Sequence, residues 1–208
     1  MGHYGESPDT VKDPYQTTGG IALHELTHAI QGTQFFNGSQ DNDGNFDMTN
    51  LAPCWLIEGQ AQYDALAPLN TFNDYRSRIQ AMYEGQMVTY LKDSSPNNIN
   101  RIFQNSLPAP QCHDAVVQVG PNTPYRLGYG VGMFAVQALT AVGGIESVLA
   151  LYTEMAHGML FPDAFKAVYN YDWTKASMKI ATLISTQTAN FHANFPPGPI
   201  YKLDGTVG

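Results

Sequence analysis

A single, mainly helical domain is what this sequence predicts, on three observations. Apolar residues recur at three- and four-residue intervals through most of the chain, the period of a helix with one buried face. Only Ala115 to Val119 reads as a strand, and no repeat of 20 to 50 residues interrupts the pattern. The length of 208 residues with 43% hydrophobic side chains suits one domain that buries roughly two thirds of its unfolded surface.

The elements follow in order. Thr17 and Thr18 offer caps and Gly19-Gly20 a flexible lead-in to a helix from about Thr18 to Phe36, on which Ile21, His24, His28 and Gln31 share one stripe. Residues 37–53 lose periodicity and collect Gly, Ser, Asn and Asp, the composition of a loop. A second helix is expected over 54–66. Thr71 and Asp74 resemble a capping box, opening an amphipathic helix to about Leu91, and a short helical turn is expected over 99–104. Four prolines make LPAPQCHDAVVQVGPNTP, from Leu107, a long connection. An apolar, Gly-rich helix then spans 125–142 until Gly143-Gly144 breaks it from another that ends near His157-Gly158. Pro162 in a first turn opens a helix to Tyr169, and Asp172 caps the last one, to about Asn190. The domain organisation is thus an N-terminal extension over 1–17, a helical domain over 18–192, and a Pro/Gly-rich tail over 193–208.

Composition removes several classes of function. Eighteen acidic against ten basic residues give a net charge of −8, which repels a phosphate backbone, so nucleic-acid binding is excluded as the main role. No apolar run approaches the ~20 residues of a membrane span. The first residues carry neither a basic start nor an apolar stretch, so they are not read as a signal peptide. The compartment stays open, although a Lys/Arg-poor, Asn/Gln/Thr-rich composition favours an extracytoplasmic or secreted setting. Cys54 and Cys112 can make one bridge or remain two thiols.

HELTH, residues 24 to 28, carries the chemistry. On a helix, His24 and His28 stand one turn apart on one face, where both imidazoles can reach one cation at the ~2.0–2.1 Å of a zinc bond. Glu25 projects beside them, as a carboxylate that can take a proton from an attacking water and return it to a leaving amine. With six histidines in the chain, chance supplies such a pattern in roughly one sequence in 200, which makes the motif informative without making it decisive. Two histidines leave a catalytic zinc short of a third protein ligand.

Further along stands WLIEGQAQY, residues 55 to 63. With HELTH before it, the chain resembles the gluzincin branch of the zincin metallopeptidases, whose second motif, similar to WLxEGxAxY, supplies the third zinc ligand from a helix. The resemblance implies Glu58 as that ligand, and Gly59 and Ala61 suit a helix pressed closely on the first one. Twenty-nine residues separate His28 from Glu58, a longer connection than gluzincins usually have, and Asp47 in that connection is the competing ligand. The acidic partner that orients a ligand histidine in the family meets Gln62 here, with Asp64 as the substitute. YRLGYGVGMFAVQAL resembles the family's YxxG helix start, so Tyr125, or Tyr129 one turn later, is expected to hydrogen-bond the oxyanion.

Asp41, Asp43 and Asp47 alternate as calcium ligands do, but Phe46 and Ala52 stand where an EF-hand needs Gly and Glu, leaving a looser Ca2+ site or a solvated acidic turn. His3, His113, His157 and His192 lack ligand spacing. The resemblance thus implies the helical catalytic half of a zincin-like zinc metallopeptidase, one Zn2+ per chain, and a peptide or protein substrate. Little or none of the family's upstream sheet fits into the roughly twenty residues before the motif, so an upstream domain or partner would complete it, or the substrate is held differently. The alternative function is a non-catalytic or incomplete zincin-derived binding domain.

Overall fold

The computed structural model describes residues 20–35, 52–66, 95–104 and 124–189, without the side chains of 124–127. The fold is mainly helical. Seven helices and no β-strand occur among the described residues: α1 (Gly20–Gln34), α2 (Cys54–Leu66), α3 (Pro96–Gln104), α4 (Pro124–Gly143), α5 (Ile145–Ala156), α6 (Phe161–Tyr169) and α7 (Trp173–Ala189). The expected helix over 71–91, the strand over 115–119, the acidic turn and both termini lie outside the described residues.

Local chemistry explains the boundaries. Gly144 stops α4 because its φ of 81° is open to glycine at little strain, and its N–H closes back on the Thr140 carbonyl at 2.8 Å. There the chain turns by 105° into α5. Gly158, at φ 91°, ends α5 in the same manner, and Pro162 sits in the first turn of α6, where its missing N–H is no loss. Asp172 precedes α7 and accepts the Lys175 N–H on its carboxylate at 3.4 Å, a long capping contact. Among the described residues no single helix is long and apolar enough to cross a membrane.

The centre of the fold is α2. Every residue from Cys54 to Gln62 is buried, so α2 is enclosed on all sides and carries Glu58, Gln60 and Gln62 into the interior along with its apolar residues. It packs most extensively against α4 and next against α1. Glycine makes the α4 contact: a methyl at Gly59 would fall on the Gly132 carbonyl carbon and within 2.6 Å of Gly132 Cα, and one at Gly132 would fall on the Trp55 carbonyl oxygen. The close approach expected of Gly59 therefore exists, but its partner is α4 and not the first helix.

At the start of α2, Trp55 is clamped in an aromatic wedge. It stacks on Trp173 of α7 with ring centres 5.4 Å apart and planes 8° apart, and meets Phe103 of α3 and Phe161 of α6 edge-on at 5.1 and 5.5 Å. Such pairs add about 0.5–1.5 kcal/mol each beyond area burial. Cys54, just before it, is disulfide-bonded. The other cysteine of the chain, Cys112, lies outside the described residues. Together these restraints hold the first turn of α2, and with it Glu58, in a fixed position.

Candidate metal centre

His24 and His28 project from α1 toward α2, and Glu58 projects from α2 to meet them. The helical offset of four residues brings the histidine rings to a centroid distance of 4.7 Å, edge to face at 86°. Their Nε2 atoms are 3.1 Å apart, and Glu58 Oε2 lies 3.4 Å from His24 Nε2 and 3.5 Å from His28 Nε2. Ile21, on the same stripe by spacing, is instead exposed.

This triangle can be tested against what an ion requires. A tetrahedral zinc with bonds of about 2.05 Å separates its ligand atoms by about 3.3 Å, which is the mean edge of the triangle within its scatter. Among the described residues no fourth His, Cys, Asp or Glu joins the group, so a zinc held here would take its fourth ligand from elsewhere. Two imidazoles and a carboxylate are also the donor types that a catalytic zinc takes. The side chains of His24 and Glu58 are 9% and 5% exposed and that of His28 25%, so solvent reaches the cluster past His28. Among the described residues these three form the group whose ligand atoms could converge on a metal ion.

The electrostatics follow from the same proximity. Burial alone would push the Glu58 carboxyl up, but hydrogen bonds and charge from His24 and His28 outweigh it and hold the carboxyl down at about 2. Burial would likewise push His28 down, yet Glu58, Gln31 and the charge of Glu25 together raise it. Both directions keep a carboxylate facing imidazole nitrogens, a charge pattern that a bound cation can replace.

Glu25, next to His24, is exposed on the solvent side of α1. Tyr129 is half-buried on α4, its ring stacked on His24 at 5.6 Å and 18°. Tyr125 lies in the first turn of α4, and its side chain is outside the described residues, as are Asp41, Asp43 and Asp47. Asp64 does not orient a ligand histidine. Its carboxylate accepts from Thr27 Oγ1 at 3.5 Å, and burial pushes its carboxyl up to about 6 against weaker help from Gln60 and Thr27. Gln62 is buried, but it does not bond His24 either, because His24 Nδ1 has no hydrogen-bond partner among the described residues.

Orientation of His28 comes instead from a residue that no motif marks. Gln31 Oε1 lies 2.9 Å from His28 Nδ1, and Gln31 is completely buried. Tyr152 of α5, also completely buried, brings its hydroxyl to the same glutamine. A glutamine seven residues after the first histidine shares its stripe, which is the only sequence signal that could have found it.

Comparison with known proteins leaves the functional reading to this geometry. The chain matches no protein-family model, no curated protein and no solved structure.

Proposed function

We propose that the chain is a zinc-dependent peptidase of gluzincin type, with His24, His28 and Glu58 as the metal ligands. The observation that carries this reading is the convergence of two imidazole nitrogens and one carboxylate oxygen, from two helices, at 3.1, 3.4 and 3.5 Å. Zinc held there would polarise a scissile carbonyl and bring the pKa of a bound water to about 7.

The chain's own residues supply the remaining steps. Glu25 is open to solvent beside the cluster, so its carboxylate can take a proton from the attacking water and carry it to the departing amine. Tyr129 stacks on His24, and its phenol is the donor favoured for the oxyanion. Tyr125 remains the second candidate, on resemblance alone. Glu58, kept ionised, holds the two imidazoles in place and balances the cation.

The decisive experiment pairs metal content with cleavage of casein or a peptide mixture. Glu25→Gln should retain zinc and lose about 10²–10⁴-fold in rate, because the amide keeps the shape and cannot take the proton. Tyr129→Phe should lose about 10²–10³-fold, the scale of one oxyanion donor. Equal cleavage by the wild type and Glu25→Gln would refute the mechanism.

A further inference from the structure

Gln31 makes a set of contacts that allows one orientation of its amide. Its Nε2 lies 3.0 Å from the Ile57 carbonyl oxygen, 3.1 Å from Gln60 Oε1 and 3.1 Å from the Tyr152 hydroxyl. A peptide carbonyl only accepts, so the amide group facing Ile57 must be the NH2. The flipped amide would set two acceptors against each other at a fully buried position. The amide oxygen is thereby directed at His28 Nδ1, 2.9 Å away. Because that oxygen cannot donate, the 2.9 Å contact requires the hydrogen on Nδ1; Nε2 donates to Glu58 only while the ring is cationic, and in the neutral ring it keeps the lone pair that faces His24 and Glu58.

We infer that Gln31 is a positioning residue, which locks His28 in the Nδ1–H tautomer and ties its ring to the turn of α2 that carries Glu58. The bond to the Ile57 carbonyl spans the two ligand helices one residue from the carboxylate ligand. Among the described residues His24 has no equivalent partner at Nδ1; its ring is held by the Tyr129 stack and the edge of His28. The lock is therefore specific to one histidine. Its effect on metal affinity rests on the proposed zinc site, whereas the tautomer itself does not.

Long-range 1H–15N correlation spectra of the full chain, metal-free and with the pH raised until the His28 shifts no longer change, read the tautomer directly. Wild-type His28 should show a protonated Nδ1 and a bare Nε2. In Gln31→Leu, which removes the acceptor, the ring should move toward the Nε2–H form, and zinc affinity against a competing chelator should fall about 10–100-fold. Gln31→Glu restores an acceptor and should restore the Nδ1–H tautomer even though it loses the Ile57 bond. A wild-type His28 protonated at Nε2 overturns the inference, as does an unchanged tautomer in Gln31→Leu. Should that variant fail to fold, the wild-type spectrum and Gln31→Glu decide. A chain that shows the expected tautomers but binds no zinc defeats the metallopeptidase reading and leaves the role of Gln31 standing.

Discussion

Replacing Gly59 by alanine sets two physical effects against each other. In a helix interior alanine is favoured over glycine by about 0.8–1.0 kcal/mol, so propensity alone predicts a more stable protein. The structure predicts the opposite, because the new Cβ would stand 2.6 Å from Gly132 Cα and from Gly132 O, both backbone atoms. Carbon atoms pack best at about 3.5–4.0 Å, so α2 and α4 would have to separate by about 1 Å. Overpacking of this kind costs about 1–3 kcal/mol, and the gap between two buried helices cannot close elsewhere without moving the Trp55 wedge. Because the clashing atoms are backbone, the strain belongs to the upper part of that range, about 2–3 kcal/mol, and less the propensity gain it leaves Gly59→Ala destabilised by about 1–2 kcal/mol net. It should also bind zinc more weakly, since the residue before it is Glu58. Gly32→Ala is the matched control: among the described residues no atom beyond its chain neighbours and its own helix backbone lies within 4 Å of its Cβ, and it should gain about 0.5–1 kcal/mol. Urea unfolding at unchanged m-value, with zinc titration alongside, measures both. Gly59→Ala as stable as wild type, or Gly32→Ala losing as much as Gly59→Ala, would refute the packing argument.

Three further outcomes are expected. Glu58→Ala should weaken zinc by more than the about 10–100-fold of an outer partner, while Asp47→Ala leaves it nearly unchanged; metal analysis after gel filtration distinguishes them, and the reverse order would make Asp47 the ligand. Asp64 is pushed up to about 6 from an ordinary 3.8, so between those values the folded chain holds a proton that the unfolded chain has lost. Stability from this group is fully present below pH 3.8 and declines as pH rises through about 6, by at most about 3 kcal/mol. In the metal-free protein Asp64→Asn should raise stability above pH 7 and flatten that decline, which denaturation at a series of pH values would show. Reduction of the Cys54 disulfide opens a loop of about 58 residues if Cys112 is its partner, and should lower stability by about 4 kcal/mol on the chain-entropy model. Identical denaturation midpoints with and without reductant would contradict that figure.

How much of this was legible in sequence differs by element. The span of α2 is the one that composition and motif imply, 54 to 66, and the break at Gly143-Gly144 is where a positive φ demands glycine. The first helix ends at Gln34, about two residues before the expected end at Phe36 and within ordinary fraying, while the residues before Gly20 lie outside the described ones. HELTH encodes a helical juxtaposition, so proximity of His24 to His28 follows from local geometry. Bringing Glu58 to them depends on how two helices cross, which spacing does not encode and which the WLIEGQAQY resemblance supplied. Gln31 was invisible as a partner because its contacts are 26, 29 and 121 residues away in the chain. Gly59 signals a close approach without saying to which helix: α1 does pack on α2, but the glycine contact itself is with α4. The resemblance points to α2 for an orienting carboxylate, where Gln62 stands in its place and Asp64 is the substitute, whereas the orienting group for His28 lies on the histidines' own helix.

The stacked pair of Trp55 and Trp173 has an optical consequence. These are the chain's two tryptophans, face to face at 5.4 Å and 8°. At such a separation their electronic transitions couple, so near-ultraviolet ellipticity should carry a paired band that disappears when the rings part. Intrinsic emission then reports on one junction, where α2 meets α3, α6 and α7, and is silent about the α1 side where the histidines stand. A melting curve read by emission and one read by the histidine proton resonances therefore sample opposite flanks of α2. Their coincidence would show that the aromatic wedge and the metal-ligand helix open as one cooperative unit, and their separation would show α1 lifting away while the wedge stays shut.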